Sequence, residues 1–171
     1  VDMGGMINKA AYLFAVANIA SADPASWKVM AAVMAAGMVP PLATSLAVML
    51  RPKLFSSAER QNGKAGWVLG AAFISEGVIP FAAADPLRVI PSIVIGGAVT
   101  GGTSMALGAA TRVPHGGIFV LFAIDNPVAW LTAIVLGSIV AAILVVAAKS
   151  LWPRQVSTDN QNLEADVSAE A

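Results

Sequence analysis

Gly70-Ala71-Ala72-Phe73-Ile74-Ser75-Glu76-Gly77-Val78-Ile79-Pro80-Phe81-Ala82-Ala83-Ala84-Asp85-Pro86-Leu87-Arg88-Val89-Ile90-Pro91-Ser92 is an apolar run with a single carboxylate in its first half. Positions 65 to 84 are long enough for a bilayer-spanning helix, and Glu76 falls close to the centre of that span. A charge at that depth is costly, and Gly77 and Pro80 follow at once, so the helix is expected to break where the carboxylate sits. Broken backbone at membrane depth persists where it is buried in protein or lines a wet cavity. Glu76 therefore reads first as a ligand-facing group.

The composition supports a bilayer as solvent. Apolar residues make up 57% and charged residues 12% of 171, against roughly half and a quarter in soluble domains. Ten basic and ten acidic residues cancel, so no field points to nucleic acid. The absence of cysteine excludes disulfides, thiolate metal sites and a cysteine nucleophile or phosphocysteine carrier on this polypeptide. One histidine cannot build a histidine metal cluster, and no cofactor is expected. Apolar structure begins within ten residues of Val1, with no basic segment before it, so no signal peptide is read.

Downstream of the central run, Val89 to Thr111 is uncharged and long enough to span, and Gly97 and Gly101 form a GxxxG pair for close helix approach. Then come Arg112-Val113-Pro114-His115-Gly116-Gly117, a stretch to Asp125 too short to cross, and a turn at Asn126-Pro127. Val128 to Ala148 is the last span, with Trp130 and Trp152 placed as an aromatic belt and Lys149 and Arg154 at a cytoplasmic end. Residues 155–171 have the composition of a disordered tail.

Upstream, Arg51, Lys53, Arg60 and Lys64 place the connection at 51 to 64 on the cytoplasmic side. Ser56 and Glu59 are spaced as a capping box and Gly63 as a stop, which makes this either a short surface helix or a solvated turn. Val29 to Leu50 is a transmembrane helix that Pro40-Pro41 should kink, preceded by a turn at Asp23 to Ser26. Ala10 to Ala22 is short for a span, and reads as a half-helix or the end of a longer one.

The basic connection and the basic tail should share one side, so an even number of crossings must separate them, yet three apolar stretches lie between. Parity is restored if the Glu76 stretch is a re-entrant hairpin with Gly77 and Pro80 at its tip, or if residues 113 to 124 cross. The hairpin is favoured, with Asp85 and Arg88 cytoplasmic and Arg112, His115 and Asp125 outside. The fold class is thus an all-α polytopic membrane protein with kinked transmembrane helices and a re-entrant hairpin.

Glu76 could accept hydrogen bonds from hydroxyl groups or take up a proton; alternatively it could pair with Arg88 or Lys64 and hold the hairpin closed. His115 is either a loop ligand or merely solvated, and Asn8 with Lys9 marks a polar break beside Gly4-Gly5. No GxxxxGK[ST] phosphate loop is present.

Gly4-Gly5-Met6-Ile7-Asn8-Lys9-Ala10-Ala11, the run from Ser75 to Ser92, and Pro114-His115-Gly116-Gly117 resemble the membrane permease component, IIC, of the fructose family of the bacterial phosphotransferase system (PTS). The resemblance covers residues 4 to 150, although Met6 stands where proline is expected. It implies a partial IIC-type domain over 1–150, a polar cytoplasmic tail over 151–171, a multi-pass place in the inner membrane, and a homodimer. It further implies transport of fructose or a similar hexose, phosphorylated by a phospho-IIB partner that is supplied in turn by IIA. Glu76 matches the glutamate that related permeases use to hold substrate hydroxyls, and His115 matches the PHGG motif. Family members carry an additional amino-terminal half of membrane helices, so a truncated remnant or a non-transporting scaffold is the alternative expectation. An intramembrane hydrolase is disfavoured, because no serine, histidine and acid are suitably spaced.

Overall fold

A computed structural model describes residues 5–20 and 23–151, which are mostly helical. Three of the helices are long and apolar enough to cross a membrane: α2 (Pro24–Leu50), α5 (Pro86–Ala106) and α6 (Pro127–Leu151). The chain is an all-α polytopic membrane protein, as its composition predicts. A shorter helix, α1 (Met6–Ile19), packs against α2. The expectations resting on Gly4, Trp152, Arg154 and positions 155–171 fall outside the described residues.

α2 begins five positions before the expected Val29, because the predicted turn is its cap. The Asp23 carboxylate accepts from the Ala25 amide and Pro24 occupies the first turn, where a missing N–H costs nothing. The helix continues through Pro40 and Pro41. The hydroxyls of Thr44 and Ser45 turn back to donate to the proline carbonyls, at 3.0 Å from Thr44 to Pro40 and 2.7 Å from Ser45 to Pro41.

α5 and α6 cross at a small-residue contact, but not through the predicted pair. A Cβ at Gly96 would collide with Ala141 and one at Gly137 with Thr100, whereas Gly101 has open space around it and Gly97 reaches only the Ala36 carbonyl. Each helical residue turns the face by about 100°, so a contact one position away lies on a different stripe. Trp130 is likewise corrected: it is fully buried, its indole N–H donating to the Ala31 carbonyl at 3.0 Å, and so is not a belt residue.

The Ser56–Glu59 capping box forms as expected and starts α3 (Ser57–Ala71). Gly63 does not stop that helix. Together with Gly66 and Gly70 it lets α3 approach α2 closely, against Val48, Ser45 and Leu42. At about 1.5 Å per residue α3 rises roughly 22 Å, less than the ~30 Å hydrocarbon core. It ends in a Schellman motif, with Ile74 N donating to Leu69 O and Phe73 N to Gly70 O. A short 3-10 turn (Ser75–Val78) and α4 (Ile79–Ala84) then carry the chain back.

Both limbs of this excursion finish at one place. Lys149 Nζ, near the end of α6, lies 3.0 Å from Glu59 Oε1 at the start of α3 and 3.9 Å from Asp85 Oδ2 at the end of α4. The segment therefore enters and returns on the same side, as a re-entrant hairpin does. Gly77 lies in its tip, whereas Pro80 stands in the first turn of the return limb. Lys149 marks the basic end as predicted, but buried in an ion network that Arg88 joins at 2.7 Å from Asp85.

At the opposite end, strands β1 (Ala110–Thr111) and β2 (Ile124–Asp125) pair antiparallel, Ala110 with Asp125 and Thr111 with Ile124. This pairing closes 112 to 123 into a loop that leaves and rejoins the same end. Residues 113 to 124 thus do not cross, and α5 and α6 supply the even number of crossings. Arg112 stacks on the Trp27 ring at 3.9 Å beside the start of α2.

Candidate functional site

The double proline determines where the hairpin tip can sit. In an α-helix the carbonyl of residue 37 would accept from the amide of residue 41, but Pro41 has no N–H. Gly37, at the midpoint of α2, is thereby left with a free acceptor, and the Ser75 hydroxyl donates to it at 2.8 Å. Gly37 also has to be a glycine, because a Cβ there would enter the Phe73 ring. The tip is thus seated on α2 at about 20 Å from either helix end.

Phe73 adopts a left-handed backbone, φ 64°, at the position where a Schellman motif usually has glycine. That conformation costs a non-glycine residue about 1–2 kcal/mol. Ring contacts hold Phe73 in place: Tyr12 on α1 at 6.3 Å and His115 at 5.2 Å, edge to face. The PHGG turn brings His115 this far inward. Gly117, with φ 57°, presses so closely on the Ala71 carbonyl and the Phe73 amide that no side chain fits.

These contacts enclose a cleft of about 270 Å³, just under the usual range of small-molecule sites. The hairpin contributes Phe73, Ser75 and Glu76, the PHGG turn contributes His115, and α1 contributes Asn8, Lys9 and Tyr12. The three predicted site residues Asn8, Glu76 and His115 therefore line one space, although they are far apart in sequence. Glu76 is exposed to it and makes no ion pair with Arg88 or Lys64; the Arg88 guanidinium is on Asp85 instead. Among the described residues its two oxygens have no hydrogen-bond or ion-pair partner, and the wall around them offers a cation, an amide, an imidazole and two aromatic rings. Charged groups at mid-depth need protein or water around them, which a cleft between broken helices provides.

Sequence reading passed over Phe73 and Tyr12, took Ser75 only as part of the hairpin tip, where it is in fact buried, and treated Lys9 only as part of a polar break. The signal for Ser75 lay elsewhere in the chain, in the proline that frees the Gly37 carbonyl.

A fructose-specific PTS EIIB'BC component of Rhodobacter capsulatus is 52% identical over 158 residues, which cover 91% of this chain and 27% of that protein. A fructose-specific PTS EIIC component of Haloferax volcanii is 50% identical over 161 residues, covering 94% of this chain and 42% of its own length. Over most of its length the chain is a homologue of fructose-specific PTS EIIC components. A fructose permease IIC component of Bacillus amyloliquefaciens agrees, at 47% identity over 145 residues, 85% of this chain and 46% of the relative. The chain thus spans between about a quarter and a half of the length of these EIIC-containing relatives. No protein-family model matches the chain, and no solved structure does. Within this likeness to EIIC components, the stretches that carried the resemblance are those that meet at the cleft: the Asn8-Lys9 segment, the Ser75-Glu76-Gly77 tip and the PHGG turn.

Proposed function

We propose that this chain forms the sugar-translocating part of a PTS permease, moving fructose or a similar hexose inward through the bacterial inner membrane. The convergence of Asn8, Glu76 and His115 on one mid-depth cleft carries this reading. Hexoses present hydroxyls that donate to a carboxylate and accept from an amide or ammonium, and C–H faces that lie on aromatic rings such as Phe73 and Tyr12. Glu76 accepts from the sugar, Asn8 and His115 contribute a second set of hydrogen bonds, and Lys9 supplies a donor and balances the carboxylate. The chain has no cysteine, and phosphorylation is assigned to a phospho-IIB partner. The Rhodobacter relative's name joins B and C components in one protein, which supports that partner. A homodimer in the lipid bilayer is the proposed assembly.

The deciding experiment supplies the chain with the remainder of a relative's EIIC domain and measures labelled fructose uptake with phospho-IIB present. Fructose should accumulate as its phosphate. Correct insertion with no uptake would support a non-transporting scaffold. Orientation is tested separately, since the exposed Ser57 stands at the basic end of this cysteine-free chain. A cysteine placed there should resist a membrane-impermeant thiol reagent in intact cells and react after lysis; labelling from outside would reverse the topology.

A further inference from the structure

We propose that Ser75 is the positioning residue for Glu76, and that Pro41 is what makes it one. The inference rests on Glu76 being the group that holds the sugar. Pro40 and Pro41 strip the donors that would have closed the helix over the Ala36 and Gly37 carbonyls. Nearby hydroxyls on α2 do not take their place: Thr44 donates to Pro40 and Pro41 carbonyls, and Ser45 to Pro41. The acceptor on Gly37 is taken across the interface by Ser75, which is 38 residues distant and buried.

The next residue along the chain is Glu76, exposed in the cleft. On its other side, a Cβ added to Gly77 would crowd Leu69 and come within 3.3 Å of the Pro41 ring, so Pro41 bears on the tip twice: through the Gly37 carbonyl it leaves open and through the close approach of its own side chain. The backbone on either side of the carboxylate is thereby referenced to one turn of α2. A proline that would ordinarily weaken a transmembrane helix here provides the acceptor that sets the depth and direction of Glu76.

A double-mutant cycle tests this, in the chain supplied with the remainder of a relative's EIIC domain. Ser75→Ala should weaken fructose binding about tenfold, as the loss of a hydrogen bond of ordinary net strength does, and Ser75→Thr should retain most of the affinity. Pro41→Ala restores an amide that can take the Gly37 carbonyl, so Ser75→Ala should add less than about twofold in that background. Equal losses in both backgrounds, or a lower folded yield with unchanged affinity, would overturn the proposal.

A second readout does not depend on sugar. With Glu76→Cys as the only thiol, the reaction rate with a small soluble reagent should change severalfold on Ser75→Ala, and much less when Pro41→Ala is also present. Identical rates throughout would show that Ser75 does not position residue 76, whatever the ligand. If Glu76→Gln leaves fructose affinity intact, the sugar reading fails, while the thiol rates still decide the positioning.

Discussion

Glu76→Gln is expected to weaken fructose binding by roughly ten- to a hundredfold while leaving the protein inserted and folded. The substitution keeps the shape of the side chain but exchanges two charged acceptor oxygens for one neutral acceptor and a donor. Hydrogen bonds to an ionised group contribute about 1.5–3 kcal/mol each, and each 1.4 kcal/mol is a factor of ten in affinity. Folding should be indifferent, because Glu76 has no ion-pair partner among the described residues and is exposed in the cleft. Had it paired with Arg88, Glu76→Gln and Arg88→Gln would both have lowered the yield of folded protein. Since Arg88 is held by Asp85 at 2.7 Å, only Arg88→Gln should do so. Equilibrium binding of labelled fructose, measured beside folded yield, separates the cases. Unchanged affinity in a well-folded Glu76→Gln protein would remove the central residue of the proposed site.

The features legible in the sequence were those that a bilayer imposes directly. Length and hydropathy marked α2, α5 and α6, and basic residues together with crossing parity left two solutions, a returning Glu76 segment or a crossing at 113 to 124, of which the first was favoured. The depth of the break followed from one carboxylate beside Gly77 and Pro80. What the sequence left hidden depends on which helix face meets which. Gly63, read as a stop, is one of three glycines that seat α3 on α2, and Gly97 was named where Gly96 makes the contact. Trp130 stands near a helix end, as a belt residue would, yet points inward to the Ala31 carbonyl. Hydropathy does not record helix rotation, and it cannot signal that a proline at position 41 opens an acceptor for a hydroxyl at position 75. The candidate site residues were legible one by one: Glu76 as a carboxylate at a break in an apolar span, His115 as a loop imidazole and Asn8 in a polar break, with the family resemblance added for Glu76 and His115. Their meeting in one cleft required the PHGG turn, Phe73 and the short helix α1 to be placed in space.

Removing the lysine at the mouth of the hairpin should be the most destabilising single change among the charged residues. Lys149 is buried, its ammonium 3.0 Å from Glu59, 3.9 Å from Asp85 and 4.4 Å from the centre of the Phe55 ring. Lys149→Met fills similar space but leaves the Glu59 carboxylate in a closed site where, among the described residues, the Ser56 amide at 2.8 Å is the one remaining partner. Breaking a buried pair from one side costs about 3–5 kcal/mol, because the uncompensated charge persists. Asp85 loses less, since Arg88 still holds it. Adding Glu59→Gln to Lys149→Met removes the orphaned charge and should recover more than half of the loss, whereas two independent surface substitutions would simply add. Unfolding in lipid or detergent, followed by helix content, reads the effect. A cost under about 1 kcal/mol for Lys149→Met would mean the network is solvated like a surface pair. The cleft lies roughly 18 Å along α3 from this network, so the folded fraction of Lys149→Met should bind fructose almost as the unmodified chain does. Lower affinity in that fraction would show instead that the mouth of the hairpin governs the placement of Glu76 at its tip.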